Sequence, residues 1–136
     1  MATVKKFEGL DSWQMARKLN IDLIPLLEKM ESQKSFDLKS QLNRSAGSVM
    51  DNIAEGFEGA GNREFIQFLA ISKGSLGEVR SQRYRALDRN FIEKEKHDVL
   101  QENCLHLAGK IGNFITYLNN SEDKGNKFKK TEQTQG

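Results

Sequence analysis

Cysteine, proline and tryptophan occur once each in this 136-residue chain, and no long apolar run is present. A lone cysteine, Cys104, excludes a disulfide framework. A single proline, Pro25, leaves every other segment free to be helical. No stretch approaches the ~18–20 apolar residues of a membrane span, and the opening MATVKKFEG lacks the apolar core of a signal peptide. No membrane partner and a cytoplasmic location are therefore expected. A dominant charge is missing too: 21 Lys+Arg against 19 Asp+Glu leave +2, too balanced to mark a nucleic-acid binder by totals. With 29% charged and 37% hydrophobic residues, the composition is that of a folded, water-soluble domain.

Catalytic and metal-binding patterns are equally scarce. The two histidines, His97 and His106, are preceded three residues earlier by Lys94 and Asn103, so the Glu-x-x-His pairs of di-iron bundles do not occur. Cys104 and His106 diverge on one helix, and two histidines in one helix give no argument for a Ser/His/Asp arrangement. No cofactor, no metal and no enzymatic activity are expected.

What is present is helical periodicity. Trp13, Ala16, Leu19, Leu23, Leu27 and Met30 form a first run over about 11–31. It is opened by an Asp11–Gln14 capping box and carries a kink or break near 21–25, where Pro25 removes a backbone hydrogen bond. Leu38, Leu42, Ala46, Val49, Ile53 and Phe57 form a second over about 37–58. A third runs over about 62–89 from an Asn62 N-cap through Phe65, Leu69, Leu76, Val79 and Ala86, and a fourth over about 93–120 from Leu100 to Leu118. Short connections predict an all-α, antiparallel up-down four-helix bundle over 1–120. Residues 121–136 are polar and read as a disordered tail.

Four features bear on function. Around the start of the third helix, Phe65, Ile66, Phe68 and Ile71 point to nearly all sides, so a second copy of the chain is expected to cover them as an oligomer interface. GFEGAG (56–61) is not preceded by a strand, so Gly56 or Gly59 reads as a left-handed helix terminus in place of a phosphate loop. Arg44, Ser48, Asn52 and Glu55 recur at steps of four, four and three. They read as a polar network that fixes a corner, with Glu55 accepting from the free N–H groups of the third helix. Finally, Arg80, Arg83, Arg85 and Arg89 face only Asp88 in the same stretch. They either oppose the helix dipole or form a phosphate-binding patch, with Tyr84 available for stacking.

FEGLDSWQMA (7–16), FDLKSQLNRSAGSV (36–49), NIAEGF (52–57) and REFIQFLAISKGSLGEV (63–79) together resemble the four-helix-bundle proteins encoded in intervening sequences of bacterial 23S ribosomal RNA. That family is related to the accessory subunit of diversity-generating retroelements, which works beside a reverse transcriptase. The resemblance implies assembly into a ring-like homopentamer and binding of structured nucleic acid or of a nucleic-acid enzyme, with no assigned activity. By position, Asn52, Glu55 and Gly56 match its NIAEG, and Gly74, Ser75 and Glu78 match its GS-x-x-E, as architectural residues. This chain departs from its relatives in Glu58 after Phe57, in its small net charge and in the early Pro25. The leading expectation is a non-enzymatic homo-oligomer that binds RNA, or less readily DNA, through Lys73, Arg80, Arg83, Arg85 and Arg89. The alternative is a protein-interaction scaffold or accessory subunit for a nucleic-acid enzyme such as a reverse transcriptase. A third reading, an enzyme built on Arg44, Asn52 and Glu55, requires an open pocket around those side chains.

Overall fold

The computed structural model describes residues 4–121, which are all helical in their regular structure, without a strand. A 3-10 turn, Phe7–Gly9, leads into α1 (Asp11–Asp22), α2 (Ile24–Ser32), α3 (Phe36–Glu58), α4 (Asn62–Asp88) and α5 (Lys94–Asn119). Apart from Ser121, the tail expected over 121–136 lies outside the described residues. α1 and α2 together form one member of a four-helix bundle, divided at Leu23. Pro25 sits in the first turn of α2, where its missing N–H removes no helical bond.

Several helix ends differ from the sequence reading. Leu10, not Asp11, is the N-cap residue of α1, and the Gln14 side-chain amide reaches back to donate to the Glu8 carbonyl at 2.7 Å. Neither Gly56 nor Gly59 is left-handed; Gly59 has φ −73°. The left-handed positions among the described residues are Lys34 (φ 60°) and Asn90 (φ 63°). Each closes a helix through paired bonds. Ser35 N–H donates to the Met30 carbonyl and Lys34 N–H to Glu31; Phe91 N–H donates to Ala86 and Asn90 N–H to Leu87. At the α3–α4 corner the cap residue is Gly61, and Asn62 is a buried residue of the first turn.

Hydrophobic stripes close the core. Leu38, Leu42, Ala46, Val49, Ile53 and Phe57 of α3 are all buried, facing Leu69, Leu76 and Val79 of α4 and Leu107, Ile111 and Phe114 of α5. Phe65 corrects the interface expectation. It is fully buried inside this chain, in edge-on contact with Phe57 (6.1 Å between ring centroids) and Phe114 (5.1 Å). Ile66 and Phe68 are half-buried, Ile66 packing on the same core, whereas Ile71 is 52% exposed. The apolar start of α4 is therefore largely absorbed by α3 and α5, because Phe65 and Leu69 turn inward from one helical face.

The α3–α4 seam is antiparallel, close and partly polar. Ser72 Oγ donates to the Val49 carbonyl at 2.6 Å, Ser48 and Ser75 share a 2.8 Å hydroxyl contact, and Gln82 Nε2 donates to Ser45 Oγ at 3.1 Å. At the corner, a Cβ on Gly56 would sit 2.8 Å from both Phe65 Cδ1 and Phe68 Cβ. Glycine is required there by proximity, not by dihedral angle. Asn20 ties α1 to α3 as well, its Nδ2 donating to the Ala46 carbonyl at 2.8 Å.

This geometry separates two glycines of the same helix. Gly56→Ala is expected to destabilise by about 1–2 kcal/mol, because overpacking outweighs alanine's helix preference of about 1 kcal/mol. Gly47→Ala, with nothing within 4 Å of the added methyl, is expected to stabilise by up to about 1 kcal/mol. Urea unfolding of the two variants beside the parent checks both signs.

Candidate nucleic-acid interface

Helix α4 carries the basic residues singled out from sequence, and the fold disperses them. At about 100° per residue, Arg80 and Arg85 lie about 140° apart around the helix. Lys73 and the half-buried Arg80 lie on the flank facing α5; Lys73 Nζ stands 3.6 Å from where a Cβ on Gly112 would be. Arg85 and Arg89 are exposed on the flank facing α3, and Arg85 Nη1 donates to Gln41 Oε1 at 2.9 Å. Five residues expected to form one patch thus occupy two flanks and the interior.

The interior one is Arg83, a correction to the expected surface. Its side chain is fully buried between α4 and α5, donating to the His97 carbonyl at 2.9 Å and to Gln101 Oε1. It therefore cannot meet a phosphate in this conformation. No ion pair to Arg83 forms among the described residues, so its charge rests on neutral acceptors and the nearby Tyr84 ring at 5.8 Å. Burial pulls its pKa below the ordinary guanidinium value. Burial also lowers His97, with the Arg83 charge adding to the effect, and His97 packs edge-on to Tyr84 at 4.7 Å. The Cys104 thiol is buried beside them. Desolvation pushes its pKa up against the opposing pull of Arg83 and Arg80, so it stays protonated and poorly nucleophilic.

The polar stripe of α3 divides as well. Ser48 and Asn52 do form a network: Asn52 Nδ2 donates to the Ser48 carbonyl and to Ser48 Oγ, both at 2.8 Å, and Ser48 continues to Ser75. Glu55 does not take part; it is exposed, and the carboxylate at the corner belongs to Glu64, whose Oε1 accepts from the Ala60 N–H at 3.3 Å. Arg44 is exposed, with Nη1 on Ser40 Oγ at 2.8 Å. Gly74 is exposed with open space around it.

Arg44, Ser75 and Glu78 meet, with Gln41, Ser45, Ser48 and Gln82, around a polar cleft of about 400 Å³ between α3 and α4. Asn52 and Glu55 do not line it. Gln41, Ser45 and Gln82 were not legible as site residues, although a signal existed: Gln41–Ser45–Ser48 and Ser75–Glu78–Gln82 each follow helical steps of three and four beside an apolar stripe. A second, larger groove of about 1170 Å³ lies at the other side of the molecule. Pro25, Leu26, Phe91, Ile92 and the 59%-exposed Val99 contribute its apolar walls. Among the described residues no group of His, Cys, Asp and Glu is placed to hold a metal, and no helix is long and apolar enough to cross a membrane.

The depressed pKa of His97 sets a pH dependence. The folded chain binds this proton less well than the unfolded chain, so the stability from a neutral buried His97 is present above about pH 6.5 and declines as pH falls below it. His97→Phe, which keeps a ring against Tyr84, is expected to flatten the decline between about pH 6.5 and 5. Denaturant midpoints across that range measure it.

Residues 8–113 match the family model described as 23S rRNA-intervening sequence protein. No curated protein matches the chain. Its fold is similar to the crystal structure of a protein of unknown function of the S23 ribosomal protein family from Bacteroides thetaiotaomicron, with a TM-score of 0.72. The two are 18% identical over 76% of this chain and 97% of that one. At that identity the likeness speaks for the fold alone. With the family model covering most of the bundle, this chain belongs to the 23S rRNA-intervening sequence protein family, whose function is unknown.

Proposed function

We propose that the chain is a non-enzymatic protein that binds structured nucleic acid, RNA in preference to DNA, through the α3–α4 face. The observation carrying this reading is the anchoring of Arg85 across the seam by Gln41, beside the cleft that Arg44 borders. One donor of the Arg85 guanidinium fixes the fork while the rest of this exposed group faces solvent. Arg89, one turn on, extends the line. Guanidinium groups held this way suit phosphate oxygens and read little sequence by themselves. Lys73, Arg80 and Tyr84 form a separate flank and would engage a second segment of a folded RNA.

Self-association belongs to the same reading. Ile71 (52% exposed) and the half-buried Ile66 and Phe68 remain as the apolar remnant at the start of α4. Copies joined there, five in the ring that the family resemblance implies, would repeat the basic face and add avidity. A second reading is favoured by the apolar groove around Val99 and Pro25: a partner protein, such as a reverse transcriptase-like enzyme, docks there and the chain serves as its accessory subunit.

Three phosphates met by Arg44, Arg85 and Arg89 give an expected fall of log K with log salt at a slope of roughly −2 to −3. Arg85→Glu combined with Arg89→Glu should abolish most of the salt-dependent affinity for a stem-loop RNA, measured by fluorescence anisotropy. Arg83→Met should leave it unchanged. No binding at low salt overturns the reading, and retained pull-down of a partner enzyme by the double variant favours the accessory role. Static light scattering gives the subunit number; Ile71→Asp is expected to lower it, and a monomeric parent at high concentration removes the assembly from the proposal.

A further inference from the structure

We infer that the start of α5, residues 93–99, is an acid-released latch over Arg83: once His97 takes up a proton, this segment lifts from α4 and opens the guanidinium to solvent. The inference goes beyond the nucleic-acid reading above and does not rest on it. From Glu93 to Val99 every residue except His97 is exposed, and the next inward anchor is Leu100. The first turn of α5 is therefore fastened to the bundle through one imidazole. That ring is 3% exposed and stands edge-on to Tyr84, 4.7 Å between centroids. The same turn also closes over Arg83. Its Nη1 donates to the His97 carbonyl at 2.9 Å, and its Nη2 donates to Gln101 Oε1 one turn on.

The closed arrangement has no place for the imidazolium form. His97 Nδ1 is buried without a hydrogen-bond partner, and a charged imidazole is a donor at both ring nitrogens. Protonation would thus bury an unmet N–H along with a charge. It would do so beside Arg83, which forms no ion pair among the described residues, and in the first turn of a helix, whose dipole opposes positive charge. The charged groups acting on the ring come from both helices. Arg83 of α4 and Lys94 of α5 oppose a proton there, whereas Asp88 of α4 and Asp98 of α5 favour it. Asp98 is drawn off by Lys94 at 3.1 Å on the exposed side. Around Arg83 stand the half-buried Arg80, a further cation, and the Cys104 thiol. Burial, then Arg83, outweighs the two carboxylates and holds the His97 pKa below its ordinary value, which the ring regains once the segment lifts. The closed latch is therefore favoured above about pH 6.5 and weakens as pH falls below it. Little else resists, because residues 93–99 bury no aliphatic side chain.

The test follows the full chain by NMR and hydrogen exchange between about pH 7.5 and 5. His97 and the exposed His106 are the chain's two histidines, so a pair of imidazole signals reports the titration. In the parent, His97 is expected to titrate below about pH 6.5. Opening at the amides of 97–100, corrected for intrinsic exchange rates, is expected to rise about fivefold from about pH 6.5 to 5.5. The amides of 104–118 and the fluorescence of Trp13, the single tryptophan, in α1, should not change. The Arg83 Nε–H signal should gain water exchange in step with the 97–100 amides. His97→Phe should abolish the acid response, and Arg83→Met, which removes the neighbouring cation, should reduce it. A folded-state His97 titration at or above about pH 6.5 overturns the latch, because the closed form then accommodates the proton. Loss of protection throughout α5 together with a change at Trp13 overturns it in favour of cooperative unfolding. An acid response that persists in His97→Phe, or that is unchanged in Arg83→Met, also overturns it.

Discussion

The approach of α3 to α4 is the constraint on which the rest of the molecule depends. At the corner it is set by Gly56, where even a methyl group would collide with Phe65 and Phe68. Along the seam it is held by hydroxyl and amide contacts: Ser72 to the Val49 carbonyl, Ser48 to Ser75 and Gln82 to Ser45. Polar pairs of this kind fix register more sharply than aliphatic packing does, because a slip of one turn would leave buried donors and acceptors unpaired. With the register fixed, Phe65 is driven between Phe57 and Phe114, and the core of α3, α4 and α5 closes around that aromatic group.

The same seam decides where the charges go. Turning one face of α4 inward takes Arg83 into the interior, where it serves the α5 carbonyl of His97 and the Gln101 amide. It sends Arg85 and Arg89 to the α3 side and leaves Lys73 and Arg80 toward α5. A buried guanidinium held by neutral groups is an unusual arrangement, because desolvation is only partly offset without a carboxylate. Here it adds to the effect of burial in disfavouring protonation of His97, whereas at Cys104 burial outweighs its opposing pull and keeps the thiol protonated. The candidate site accordingly moves from the arginine-rich end of α4 to the cleft where Arg44, Glu78 and Gln82 converge.

Much of the architecture was open to reading in the linear chain. Apolar residues at steps of three and four marked each helix, since burial must follow a 3.6-residue turn, and every residue of the α3 stripe is buried. Pro25 marked the break between α1 and α2, because its ring permits only the first turn of a helix. The helix termini were less legible. Lys34 and Asn90 occupy left-handed positions that composition assigns to glycine, and Glu64 rather than Glu55 serves the corner. Which carboxylate reaches an amide depends on the angle between two helices, and single-chain patterns do not contain that angle.

By itself, then, the order of residues determined that this protein is a helical bundle with a polar stripe on α3 and a cluster of arginines on α4, because periodicity and composition are local properties. The stripe Phe65, Leu69, Leu76, Val79 and Ala86 already marked the inward side of α4, and tertiary structure alone decided the rotation of that side against α3 and α5. That rotation placed Arg83 and Phe65 in the core and brought Gln41, Arg44 and Ser45 of α3 opposite Ser75, Glu78 and Gln82 of α4. The reason is physical: the rotation is settled by how side chains of different helices fit one another, and no window along one helix records its neighbour's shape.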